Sequence, residues 1–291
     1  MEKIKYIFLI LSVINILSCS NCDIQNKLED ISTYVCTNPD SARKELNKIN
    51  KLGLTTEQLS AHHALLSCES EYLTKCTVDD SALNIASTYY IEGKNGTTSQ
   101  QMETELLNIY KYIYNKPAEA LSKLLNMEKQ IDELSSPDFK GMLESFILII
   151  YYNSHEYQKM LKHAYKELKY ANESKSISRI VNSKFHIGTA YKNMGMLDSA
   201  YINYCYFKKY EQDLDSTLLS FAYHNIAALL KNIKTSDNNN IITALQNSLK
   251  YNTERDDSAR IYMQIADYYY SNNKIEKGDS FLRICLNFIQ K

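Results

Sequence analysis

Apolar and small side chains return along the second half of the chain at helical spacing and, beyond that, at a longer interval. Between Lys184 and Tyr204 the order is Lys184, Ile187-Gly188, Tyr191, Gly195, and then Ala200 followed by Tyr204. The Gly188 position recurs as Leu148, Ala227 and Ala266, giving separations of 40, 39 and 39 residues. Three residues further on stand Tyr151, Tyr191, Leu230 and Tyr269, and the next segment carries Met160 and Ala164, Ala200 and Tyr204, or Gly278 and Leu282. Helical spacing nested in a longer period predicts antiparallel helix pairs that bury their apolar faces by stacking on one another. A small residue such as Gly188 or Ala200 lets paired helices approach, while Tyr191 and Tyr204 fill the space beside them. The Ala227 unit departs from the pattern at Asn238-Asn239-Asn240, where a loop insertion and a second helix beginning near Ile241 are expected.

The first half obeys the same grammar less strictly. Helices are expected at about 24–36, 40–51, 56–76, 80–92, 100–115 and 117–133. Breaks fall at Asn38-Pro39, Gly53, Gly93 to Thr98, and Ser135-Ser136-Pro137, the last of these a soft joint. Six helices make three further hairpins. Asp-Ser-Ala recurs at Asp40, Asp80, Asp198 and Asp257. Such residues satisfy the free N–H groups of a first helical turn, so they mark helix starts and not chemistry.

The Ile187-Gly188-x2-Tyr191 and Ala200-x3-Tyr204 spacings resemble the tetratricopeptide repeat. The resemblance implies an all-α, right-handed superhelical solenoid of antiparallel helix hairpins, with a concave groove lined by the first helix of each. On that alignment the groove carries Ser145, Ile149, Tyr152 and Asn153 from one unit, and Phe185, Thr189, Lys192 and Asn193 from the next. The following units contribute His224, Ala228, Lys231 and Asn232, and then Met263, Asp267 and Tyr270. Lys192-Asn193 and Lys231-Asn232 occupy equivalent positions, with Asn153 matching in the unit before. They form either a ladder that grips a peptide backbone or an acidic side chain, or ordinary helix-end chemistry, since Lys favours the dipole there and Asn tolerates a left-handed turn.

The extreme N-terminus has a separate pattern. Lys3 and Lys5 precede an apolar stretch from Tyr6 to Leu17 that is short for a membrane-spanning helix, followed by Ser18 and Cys19. Ile16-Leu17-Ser18-Cys19 resembles the lipobox of bacterial lipoproteins. This implies a signal peptide over 1–18, a lipid on Cys19, and a cell-envelope location on the periplasmic face or outer membrane; the alternative is an ordinary signal peptide with an incidental cysteine. With the Asn38-Pro39-Asp40-Ser41-Ala42 opening and the downstream repeats, the chain resembles the tetratricopeptide-repeat lipoproteins of Gram-negative bacteria. The expected organisation is then a signal peptide over 1–18, degenerate hairpins over 19–134 and repeats over 138–291. The longest later apolar run, Phe146 to Tyr152, suits a buried helix face, so the lipid is the one membrane attachment expected.

Composition narrows the function. Lys and Arg total 33 against 34 Asp and Glu, intermingled, without the basic stripe a nucleic-acid partner requires. The six histidines form no metal-ligand motif, and neither a nucleophile signature nor a phosphate-binding glycine loop appears. No catalytic residue, metal or cofactor is therefore assigned, and the expectation is a binding protein, not an enzyme. Its partner is expected to be a protein or peptide. Two alternatives stand beside that: a glycan-binding surface lipoprotein, and the sensory ectodomain of a signalling system carried on another chain. The 24 tyrosines and absent tryptophans suit helix packing better than sugar stacking. Cys22, Cys36, Cys68, Cys76, Cys205 and Cys285 remain after the lipobox, and a link from Cys36 to Cys68 or Cys76 is open, the default being free thiols.

Overall fold

The computed structural model describes residues 22–233, 238–252 and 255–289, so the lipobox and Cys19 lie outside the described residues. The described residues form fourteen principal helices and no strand. The first six are α1 (22–34), α2 (Pro39–Lys48), α3 (Glu57–Lys75), α4 (Asp80–Ser87), α5 (Thr98–Tyr112) and α6 (Pro117–Glu128), with α4 running into a π turn at Thr88–Glu92. Then follow α7 (Pro137–Asn153), α8 (Tyr157–Glu173), α9 (Ile177–Asn193), α10 (Leu197–Tyr204), α11 (Ser216–Leu230), α12 (Asn238–Tyr251), α13 (Arg255–Ser271) and α14 (Ile275–Ile289). None of them is long and apolar enough to cross a membrane.

Local chemistry explains where these helices begin. Each of the three prolines opens a helix, at Pro39, Pro117 and Pro137, where a missing N–H costs nothing. Thr56, Asp79 and Asp215 accept hydrogen bonds from the N–H groups of Leu59, Ala82 and Leu218, and Thr97 forms a reciprocal box with Gln100. All four Asp-Ser-Ala segments lie in first turns, as expected, although in α2 and α4 the capping oxygen belongs to Asn38 and Asp79 just ahead. The Asn triplet is in part a correction. Asn238-Asn239-Asn240 lies inside α12, so the helix begins before Ile241, while its start eight residues after Leu230, against four in the hairpins of α7, α9 and α13, agrees with the expected insertion. Asparagine suits a helix start, where free backbone N–H groups need acceptors, and its low interior propensity is harmless there.

The turns inside the hairpins are built to one plan. The N–H groups of Glu156, Met196 and Lys274 each reach back to a carbonyl five residues earlier, on Tyr151, Tyr191 and Tyr269, at 2.9 Å. These acceptors are the three tyrosines that align in the sequence. The residue before each donor is left-handed: His155 (φ 59°), Gly195 (φ 78°) and Asn273 (φ 57°). This 6→1 bond closes the helix end and reverses the chain at the same repeat position each time.

Two compact units divide the chain, residues 1–146 and 147–291. The division falls within α7. The Ser135 break, where a soft joint is expected, is tied to α5 by the Ser135 N–H donating to Ser99 Oγ at 2.8 Å. In the N-terminal unit, Leu28, Ile31, Leu46 and Leu66 knit α1, α2 and α3 together, while Leu65, Cys68, Leu83, Tyr90 and Leu107 do the same for α3, α4 and α5. Cys36 forms no disulfide with Cys68 or Cys76, and burial pushes the Cys68 thiol up to about 12.

In the C-terminal unit a core cluster runs from Val181 to Tyr268, and aromatic rings supply much of it. Phe185 contacts Tyr204, Phe207 and Phe221, Phe207 meets the edge of Tyr223, and Tyr223 stacks on Tyr251. Within the α9–α10 hairpin, the ring of Tyr204 covers Gly188. A Cβ at Gly188 would lie 2.6 Å from the Tyr204 ring and 3.2 Å from the Ala200 carbonyl. Tyr204 cannot yield easily, being 1% exposed and hydrogen-bonded through its hydroxyl to Thr189 at 2.9 Å. Gly278 is covered the same way by Tyr270, but that ring is only half-buried. Between α8 and α9, burial draws the His186 imidazole down, and the Glu167 carboxylate 2.7 Å away outweighs this and holds its pKa above the usual value.

Gly188→Ala should therefore destabilise the fold by about 1–3 kcal/mol through overpacking, in spite of alanine's better helix propensity. Gly278→Ala should cost clearly less in the same urea titration, because Tyr270 can swing outward. At the turns, Gly195→Ala should lose about 1 kcal/mol and His155→Gly should gain a fraction of that, since only glycine adopts a left-handed backbone without strain.

Candidate functional site

The face expected of the first helices can be checked position by position. In α7, every residue from Gly141 to Tyr151 is buried except Ser145 and Ile149, and Tyr152 and Asn153 are exposed beyond them. From Leu219 to Leu230 in α11 the residues left partly or fully open are Phe221, His224, Asn225 and Ala228. In α13, Met263 and Asp267 are exposed and Tyr270 is half-buried. Most positions that helical periodicity places on this face are thus at least partly open to solvent.

Phe185 is the exception. It is 2% exposed and belongs to the core, so it cannot line a groove. The reason lies in the next repeat, whose Phe221 meets it edge-on at 5.6 Å and seals it from outside. Phe221 itself stays 52% exposed.

The Lys-Asn pairs stand at helix ends. Asn193 and Asn232 donate their side-chain amides to the carbonyls of Thr189 and Ala228, one turn back in the same helix, at 2.8 and 3.0 Å. One amide hydrogen of each is thereby spent on ending a helix. The left-handed residue is not the asparagine but Gly195, two positions after Asn193. Lys192 is half-buried in the last turn of α9 and Lys231 is exposed just past α11, both placed to favour the helix dipole.

The structure adds two residues to this face, Phe221 and Arg260. They precede His224 and Met263 by one turn and stand 39 residues apart, so the repeat period itself carries the signal; the alignment simply begins one turn too late. His224 feels the charges of Arg260 and Asp257 across α11 and α13, and the other open positions of this face are of mixed character. Phe221 and Met263, 52% and 48% exposed, are its apolar part. His224 contributes a buried Nδ1 that has no hydrogen-bond partner. Burial lowers its pKa, and the charge of Arg260 lowers it further against the opposing pull of Asp257. Arg260 pairs with Asp257 at 2.7 Å.

A second feature lies in the N-terminal unit and escapes the repeat pattern altogether. A cavity of about 590 Å³ is walled by α1, α3, α5 and the start of α7. Glu69 on α3 faces it while 2% exposed, and its Oε1 is buried without a partner. Glu103 on α5 is also buried, and its Oε1 accepts the hydroxyls of Ser99 at 2.6 Å and Ser135 at 3.3 Å. The clue in the sequence is register. Glu69 stands four residues after Leu65, on the buried stripe of its helix.

No protein-family model matches the sequence, and none of the curated proteins matches it. Among solved structures the chain is similar to a Rap protein complexed with Competence and Sporulation Factor, with a TM-score of 0.67 at 11% identity over 92% of this chain and 76% of that one. Weaker similarities are to BtubC (BKLC) from P. vanneervenii, at TM-score 0.49, 11% identity and 94% and 91% coverage, and to the apo form of RapI, at 0.48, 14%, and 95% and 86%. The likeness to the Rap protein establishes a common fold, the all-α arrangement of tetratricopeptide-like helix hairpins.

His224 should titrate below the usual value of about 6.5 when followed by proton NMR. Replacing Arg260 with methionine removes a like charge and should move that midpoint upward. Because the folded pKa is depressed, the neutral ring stabilises the protein fully above about pH 6.5, and this contribution is lost as pH falls toward the folded value.

Proposed function

We propose that this chain is a non-enzymatic binding scaffold of the cell envelope, anchored by a lipid on Cys19, whose first-helix face on α9, α11 and α13 grips a protein or peptide partner. The observation that carries it is that face itself: two large apolar side chains held half-open on α11 and α13, and on α11 a buried imidazole nitrogen that lacks a partner. Aromatic, Met and Arg side chains are those enriched where proteins meet, and truncating such anchors has the largest effect on affinity. The polar groups alongside, His224, Arg260 and Lys231, suit carbonyl or carboxylate acceptors on an extended segment.

Two further facts support this role. Stacked helical hairpins present long continuous faces, which is how such arrays generally hold partners. The Rap protein of similar fold is complexed with Competence and Sporulation Factor. The paired tyrosines of the C-terminal unit point the same way, since rings engaged with each other inside a core are not offered as sugar platforms. For the anchor, the support is the charged, apolar and Ser18-Cys19 sequence at the N-terminus.

Capture of partners from detergent-solubilised envelopes, with the full chain as bait, tests both parts. A protein retained by the wild type should be lost by about tenfold or more from a Phe221→Ala, Met263→Ala double variant, and to a smaller extent from Lys231→Ala. Undiminished recovery by the double variant rejects the face. In a detergent phase-separation assay, Cys19→Ser should move the protein to the aqueous phase, and an unchanged partition rejects the lipid.

A further inference from the structure

We propose that the cavity of the N-terminal unit is a binding site for an organic cation, a primary ammonium or guanidinium on an apolar stem, whose head pairs with the Glu69 carboxyl in its wall. The site lies in a different unit from the partner-binding face and does not depend on it.

The reasoning begins from cost. A carboxyl that is 98% removed from solvent and has an unpaired oxygen is among the most expensive features a core can hold. Nothing within the protein offsets it, because no lysine or arginine lines the cavity. The titratable groups around Glu69 are Glu29 from α1 and Cys36 just after it, His62 and Cys68 from α3 itself, Tyr90 from the π turn, Glu103 from α5 and Asp138 from α7. None of them brings a fixed positive charge, since burial lowers the pKa of His62 and raises that of Glu103. Such a cavity is complementary to a cation brought in from outside.

The shape then decides which cation. At about 590 Å³ the space exceeds by far what a bare metal ion fills. Nor do Glu69, Glu103, Asp138 and His62 converge on one point as the short bonds of a metal ion demand, among the described residues. Leu65, Leu66 and Phe139 form part of the wall and can lie along a hydrocarbon stem. The two serine hydroxyls fix Glu103, so its carboxyl is already oriented beside the vacant acceptor.

Binding has a proton signature. Burial, with Glu103 adding to it, raises the pKa of Glu69 well above the carboxylate range, so the empty site disfavours its charged form. An arriving ammonium favours the carboxylate, and the proton of Glu69 leaves to solvent. Amine binding should therefore draw protons off Glu69 and strengthen as pH rises, until the ammonium itself deprotonates.

Isothermal titration of the full chain provides the test, with four probes: Nα-acetyl-lysine methylamide, its Nε-acetylated form, cadaverine and calcium chloride. The amines should bind, and repetition in buffers of different ionisation heat should report the released proton. The neutral acetylated probe and calcium should not bind. Glu69→Gln, which keeps the side-chain shape, should weaken amine binding by about tenfold or more while leaving the circular dichroism spectrum unchanged. If that variant does not fold, the wild-type contrast between the ammonium and its acetylated form, together with proton release, decides the matter. Tighter binding of the lysine derivative identifies a peptide side chain as the source of the cation, and tighter binding of cadaverine a free amine. Equal binding of the acetylated probe, no binding of either amine, displacement of an amine by calcium, or full binding by folded Glu69→Gln each overturns the proposal. The Phe221, Met263 double variant should retain the amine, so this site and the partner-binding face can fail independently.

Discussion

The C-terminal repeats depend on how closely the two helices of a hairpin can approach. At Gly188 the missing side chain is replaced by the ring of Tyr204 from the opposite helix, so the contact is made of a deletion on one side and an aromatic on the other. Ridge-and-groove packing permits many helix arrangements, and this fitted pair selects one of them. The hairpin at Gly278 and Tyr270 repeats the device with a looser, more exposed ring. The shared turn geometry at Tyr151, Tyr191 and Tyr269 sets the direction of each reversal, and the ring-on-glycine contact sets the depth.

This explains what could be read without a structure. The period near 39 residues, the helix starts at Pro117 and the Asp-Ser-Ala segments, and the partial exposure of most chosen first-helix positions follow from local rules of spacing and capping. Failures occurred where a neighbour outside the pattern intervenes. Phe185 occupies a groove position by register, yet Phe221 from the next repeat covers it. Asn238 to Asn240 read as a loop by composition, yet the same residues serve equally well as the opening of α12. The N-terminal cavity could not be read at all, because it is assembled from α1, α3, α5 and α7, which have no common spacing.

The two units also differ in how they treat polar groups. In the C-terminal unit buried polar atoms tend to be matched, as with Ser220 and Ser248, whose hydroxyls donate to each other's carbonyls at 2.9 Å, and with Tyr223 donating to Glu211 at 2.7 Å. Among the described residues His224 Nδ1 is unmatched there, and Glu69 Oε1 and the Tyr112 hydroxyl are unmatched in the other unit. Buried polar atoms left unmatched weaken a fold, so each marks a place where something other than stability is served.

Phe221 touches two worlds at once. Its inner edge closes the aromatic cluster around Phe185, and its outer surface faces solvent. A molecule that seizes this ring must tug on the seam between successive hairpins. Occupancy of the surface and stiffness of the stack are thereby mechanically linked, with a single phenyl group as the lever.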